Sequence, residues 1–233
     1  MDKKYLLAVL VFAFVLAAGV VYYLITRENN DQPQIQLTVL TNEADSAEST
    51  NSTIKKNDES VTTSEEVHPL PIRDAEGRIS KKPFGIKITP ATSPVQPEKF
   101  SGYHTGTDFE VREAEVNQEV AVHPICAGKI KEVKKVSGYG GVVIQSCTIN
   151  NESVSVIYGH ISISQSPIVS GDQVALNNQI AVLADHESIE SGGERKHLHL
   201  GIYKSDQIDL RGYVSTEAEL KEWINPESIL SLK

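Results

Sequence analysis

Gly141-Val142-Val143-Ile144-Gln145-Ser146-Cys147-Thr148-Ile149-Asn150-Asn151-Glu152-Ser153-Val154-Ser155-Val156-Ile157-Tyr158 contains two short β-prone runs divided by a polar, Asn-bearing segment. Runs of the same kind recur on both sides: Val120-Ala121-Val122, Gly128-Lys129-Ile130-Lys131-Glu132-Val133, Gln173-Val174-Ala175-Leu176 and Gln179-Ile180-Ala181-Val182-Leu183. Gly, Pro and Asn punctuate them. Strands of this length at this spacing predict an all-β domain, an antiparallel β-sandwich or barrel-like fold, over residues 83–233. A helical period emerges only at Thr216-Glu217-Ala218-Glu219-Leu220-Lys221-Glu222-Trp223. No glycine-rich phosphate loop follows a strand, so nucleotide binding has no support.

Outward from that region the composition changes twice. Residues 28–82 are rich in Ser, Thr, Asn, Glu and Asp and poor in aromatics, which predicts a disordered acidic linker. As a flexible coil it would reach about 40 Å. Residues 5–25 carry no charge and, as a helix, would span roughly 32 Å, enough for a bilayer core. Lys3 and Lys4 precede this block, favouring a cytoplasmic N-terminus and an exported remainder. A cleaved signal peptide is the rival, with Ala17-Ala18-Gly19 as one cleavage site. The apolar run continues through Val20 to Ile25 and carries Tyr22-Tyr23, a pair suited to a membrane interface. Residues 1–27 are therefore read as an uncleaved transmembrane signal-anchor, and export follows under either alternative.

The formal charge of −9 argues against nucleic acid as a partner, because phosphate binding needs a basic face. The exported part holds Cys126 and Cys147 on either side of Ser137-Gly138-Tyr139-Gly140-Gly141, a turn. A simple hairpin centred on Tyr139 leaves its two arms about five residues out of step at these positions. A disulfide there requires an offset or a bulge; two small buried hydrophobes are the alternative.

Four of the seven histidines fall at three places in the β region. In His104-Thr105-Gly106-Thr107-Asp108, Gly106 and the β-branched threonines disfavour a helix, so a turn or irregular strand must bring imidazole and carboxylate together. In Lys196-His197-Leu198-His199-Leu200, strand alternation sends both imidazoles to one face and both leucines to the other. In Ile157-Tyr158-Gly159-His160-Ile161 the same period puts Tyr158 and His160 on a common face, and Gly159 permits a close approach.

Taken in order, His104-x-x-x-Asp108, Tyr158-Gly159-His160 and His197-Leu198-His199 resemble the LytM/lysostaphin-like zinc metallopeptidases of the M23 type. The likeness extends over Phe84 to the C-terminus and includes Gly138-Tyr139-Gly140, Val169-Ser170-Gly171-Asp172-Gln173-Val174 and Trp223-Ile224-Asn225-Pro226. It implies that His104, Asp108 and His199 bind Zn²⁺ and that His160 and His197 form the catalytic pair. Three protein ligands leave one tetrahedral position open, as catalytic zinc requires. The implied activity is a metalloendopeptidase acting on peptidoglycan peptides, in a membrane-anchored, extracytoplasmic protein. The competing class is a non-enzymatic envelope adaptor or activator, whose members generally lose ligands. A D-alanyl-D-alanine carboxypeptidase wants a longer His-to-Asp interval and ranks lower. One departure stands out: the segment Ala184 to Arg195, before the HxH pair, is more charged than the family's usual Gly- and Ser/Thr-rich stretch and contains His186. His186 reads as a solvated loop residue, His123 as structural or surface, and His68 as part of the linker.

Overall fold

The computed structural model describes residues 68–230. The expected anchor at residues 5–25 and most of the expected linker lie outside them. Among the described residues no helix is long and apolar enough to cross a membrane.

The strands are β1 (Lys87–Ile88), β2 (Gly102–His104), β3 (Gly106–Glu110), β4 (Ala121–Val122), β5 (Gly128–Val136), β6 (Gly140–Ile149), β7 (Glu152–Ile161), β8 (Gln173–Val174), β9 (Ala181–Val182), β10 (His197–Tyr203) and β11 (Tyr213–Val214). Six of them form an antiparallel sheet in the order β3-β10-β7-β6-β5-β8, flanked by a β1-β2-β11 sheet and a β4-β9 pair. The one α-helix among the described residues, α1 (Glu217–Leu220), starts at Thr216, whose side chain caps the Glu219 amide. Every run named in the sequence contains a strand, though three of them are strand over only two residues, and the architecture is mostly β as expected.

Apolar side chains pack on both faces of the large sheet, and most of β6 and β7 is buried. One face carries Val143, Val156, Tyr158, Leu198 and Leu200 into the main core, beneath Val122, Ile125, Ile180 and Leu183. The other face carries Val142, Ile144 and Ile157 against Tyr139 and Trp223. The second cluster is smaller, and the sheet beside it is left open for polar side chains.

Cys126 and Cys147 form a disulfide, with Cα atoms 6.2 Å apart. The β5–β6 register centres the turn on Gly138 rather than Tyr139 and slips once between Ile130 and Glu132, so Lys131 is bulged. These two shifts bring Cys147 opposite Gly128, two residues from Cys126, and the bridge is diagonal. The sequence required an offset or a bulge, and both are present.

The linker boundary at residue 82 is too late. Ile72 and Ala75 are fully buried in the main core. His68 pairs with Leu230 in a parallel bridge, and its Nδ1 donates to the Ile125 carbonyl at 3.0 Å. Arg78, buried, meets the Glu115 carboxylate at 2.6 Å. The charged residues around Leu70, Ile72, Ala75 and Ile79 lower the average hydrophobicity of the segment without preventing these four from packing on the core.

Candidate metal centre

The β3–β10 register sets His199 opposite Asp108 and His197 opposite Glu110. Alternation then points all four side chains to the open face, while Leu198 and Leu200 enter the main core. His104 joins them from the end of β2, where the chain leaves one sheet and re-enters another after Thr105.

Three ligand atoms converge. His104 Nε2 lies 3.0 Å from His199 Nδ1, His199 Nδ1 lies 3.1 Å from Asp108 Oδ1, and His104 Nε2 lies 3.3 Å from that same oxygen. Donors 2.0–2.1 Å from a tetrahedral zinc lie about 3.3 Å apart, so two imidazoles and a carboxylate at these separations fit that ion. Among the described residues this trio forms a group able to hold a metal. His186 does not join it: exposed on its loop, it lies 3.4 Å from Glu187. His123 donates from Nδ1 to the Asn178 carbonyl at the surface.

The remaining nitrogens are each tied down. His104 Nδ1 donates to the Pro83 carbonyl at 3.2 Å. His199 Nε2 faces the Tyr139 hydroxyl at 3.2 Å. Such outer partners fix which nitrogen of an imidazole is free to bind a metal. Asp108 turns its other oxygen, Oδ2, to Arg195 Nη2 at 2.8 Å and to His197 Nε2 at 3.3 Å. Arg195 is itself clamped by Glu110, with Nε 2.9 Å from Oε2.

His160 reaches the site by a route that strand alternation does not anticipate. The β6–β7 register passes from Gly141↔Ile161 to Val142↔Gly159, leaving His160 as the extra residue of a bulge. Its φ is 60°, in the left-handed region. Tyr158 faces the main core, where its hydroxyl donates to Gln145 Oε1 at 2.9 Å. The expectation that Tyr158 and His160 share a face is therefore wrong. The bulge turns the His160 ring to the other side, 4.3 Å from the His197 ring between centroids.

The loop before β10 holds both of these imidazoles by backbone carbonyls. His160 Nδ1 donates to Ser191 O at 2.8 Å, and His197 Nδ1 donates to Arg195 O at 2.8 Å. Burial pushes the His160 imidazole well below its ordinary value and lowers His199 to about 4. Burial alone would raise the Asp108 carboxyl, but His197 and His104 hold it well below the usual carboxylate range. The five side chains line one cavity of about 310 Å³, with Phe100, Tyr139, Arg195 and Tyr213 on its walls.

The structure thus brings together all five residues singled out in the sequence. Tyr139 and Arg195 were not assigned a role there. Tyr139 was visible only as part of a turn, and Arg195 only as an excess of charge ahead of the HxH pair.

Comparison with known proteins gives a profile match to peptidase family M23 over residues 102–210. No curated protein matches the chain. Among solved structures it is similar to Csd3 of Helicobacter pylori, at 24% identity over 65% of this chain and 36% of that one, TM-score 0.42. The chain therefore spans about a third of Csd3. LytU is similar at 22% identity over 65% of this chain and 82% of that one, TM-score 0.43. The antimicrobial peptidase lysostaphin from Staphylococcus simulans is similar at 19% identity over 65% of this chain and 49% of that one, TM-score 0.41. The profile match spans His104, Asp108, His160, His197 and His199, and over this stretch the chain is similar to peptidase family M23.

Proposed function

We propose that this chain is a zinc-dependent metalloendopeptidase that hydrolyses peptide cross-links of peptidoglycan. The observation carrying this reading is the convergence of His104 Nε2, Asp108 Oδ1 and His199 Nδ1 beside a second pair of imidazoles in one cavity. Zn²⁺ bound by the trio supplies Lewis acidity toward a peptide carbonyl and toward water. With Nδ1 committed to Ser191 O, His160 offers Nε2 as its working atom. Burial favours its neutral form, so His160 is the imidazole that accepts a proton from attacking water. His197 Nε2 lies 3.3 Å from Asp108 Oδ2, an acceptor that orients the N–H on that nitrogen. His197 is accordingly the group that donates to the developing oxyanion or to the leaving amine. A cavity of about 310 Å³ takes a short stretch of extended peptide rather than a folded chain.

The sequence adds the setting. The apolar block 5–25 anchors the chain, and the acidic segment after it spaces the peptidase domain from the bilayer on the extracytoplasmic side. The full chain loaded with Zn²⁺ is expected to release peptides from isolated cell-wall sacculi, read by mass spectrometry. His197→Ala is expected to retain zinc and lose release by 10²-fold or more. Zinc-loaded chain that releases nothing from several wall chemotypes rejects the peptidase assignment. Stoichiometric capture of a wall hydrolase without turnover supports the adaptor class instead.

A further inference from the structure

We propose that Tyr139 is a positioning residue for the metal: its hydroxyl oxygen accepts a hydrogen bond from His199 Nε2–H and commits His199 to bind the ion through Nδ1. The inference rests on the reading of the His104–Asp108–His199 cluster as a zinc site. It concerns a residue that touches no candidate ligand atom itself.

An imidazole can ligate through either nitrogen, and the proton on one decides which lone pair is free. His199 presents Nδ1 to Asp108 Oδ1 at 3.1 Å and to His104 Nε2 at 3.0 Å. Binding through Nδ1 in the neutral ring requires the proton on Nε2. The Tyr139 hydroxyl stands 3.2 Å from Nε2 and supplies an acceptor there. A tyrosine hydroxyl oxygen has lone pairs with which to accept.

The phenol occupies a slot that four glycines make possible. Gly138 and Gly140, at φ 88° and 70°, turn Tyr139 inward from the β5–β6 turn. At Gly159 an added Cβ would lie 2.5 Å from the Tyr139 ring, and at Gly212 it would lie 2.9 Å from the hydroxyl oxygen. The ring packs edge-on to His199, with centroids 5.0 Å apart. The Tyr139 carbonyl accepts from the His160 amide at 3.2 Å, so the same residue braces the bulge carrying the second imidazole pair's near member. Backbone from three separated stretches of chain has been kept bare where the phenol runs. Space-filling alone does not require its oxygen to end on His199 Nε2.

The test compares the full chain with Tyr139→Phe and Gly212→Ala. The first removes the oxygen and keeps the ring; the second keeps the phenol and displaces its hydroxyl. Zinc affinity is read by competition with a chromophoric chelator, folding by the melt of the metal-free protein, and the His199 tautomer by nitrogen-15 NMR of the zinc-loaded form. Both variants are expected to bind zinc 10–100-fold more weakly than the parent. Tyr139→Phe should melt like the parent when metal-free and lose the protected Nε2–H signal of His199. Parent-level zinc affinity in Tyr139→Phe overturns the proposal, whatever happens to peptide release, because Tyr139 would then act on substrate or merely fill space. A parent that binds no zinc overturns it as well. A parent that binds zinc and releases no peptide rejects the peptidase reading alone and leaves the affinity comparison standing.

Discussion

Tyr158 and His160 stand two positions apart on β7, yet their side chains leave opposite faces of the sheet. The bulge opposite Gly141 and Val142 inserts His160 as an unpaired residue at φ 60°. Asn tolerates that backbone region, whereas a β-branched residue does not. His160→Val is therefore expected to unfold at a stability about 2 kcal/mol below His160→Asn, with both losing peptide release. Chemical denaturation of the two variants checks this; equal stabilities would mean that the strained φ imposes nothing.

This bulge also marks where the sequence stops being legible. Strand positions, the shared face of His197 and His199, and the convergence of His104 with Asp108 follow from alternation and from glycine and threonine between them. The side of the sheet taken by His160 does not, because one inserted residue inverts the alternation and no local residue type announces it. Tyr139 escaped notice for a related reason: its partner His199 is 60 residues away, and a tyrosine between glycines reads locally as a turn. The disulfide lay between these cases. Its residues were evident, and its geometry depended on a bulge at Lys131.

The N-terminal edge of the domain yields a truncation test. Ile72 and Ala75 are fully buried, and Arg78 reaches Glu115 across the fold. Removing residues up to 82 empties that part of the core, and losing one large aliphatic side chain costs about 2–5 kcal/mol. A chain starting at residue 83 should be less stable than one starting at residue 64 by at least that amount. Urea melts showing equal midpoints would return residues 68–82 to the linker.

Glu115 gives the clearest dependence on pH. Hydrogen bonds from the buried Arg78 guanidinium lower its carboxyl to about 2 from an ordinary 4.5. A depressed folded value means stabilisation that is complete above about pH 4.5 and is lost as pH falls through about 2. Because Glu115 is partly exposed, the full shift is discounted for solvent, and Glu115→Gln is expected to cost about 2 kcal/mol at pH 7. The difference between parent and variant should shrink steadily as denaturation is repeated from pH 4.5 downward. A difference that is constant or growing toward acid contradicts the ion pair.

Cys126 and Cys147 close a loop of sequence separation 21. Loop-closure entropy for a segment of that length predicts about 3 kcal/mol of stabilisation. The Cys126→Ser/Cys147→Ser double variant should lose that amount in denaturant, and the parent should lose it on reduction. Parent and double variant unfolding together under oxidising conditions would remove the bridge from the account of stability.

Zinc-edge anomalous scattering from crystals of the zinc-loaded chain bears most directly on the central claim. The account predicts a single strong peak roughly 2.0–2.2 Å from His104 Nε2, Asp108 Oδ1 and His199 Nδ1 together. A peak elsewhere, one that leaves Asp108 out, or one bound to His199 through Nε2 would contradict it.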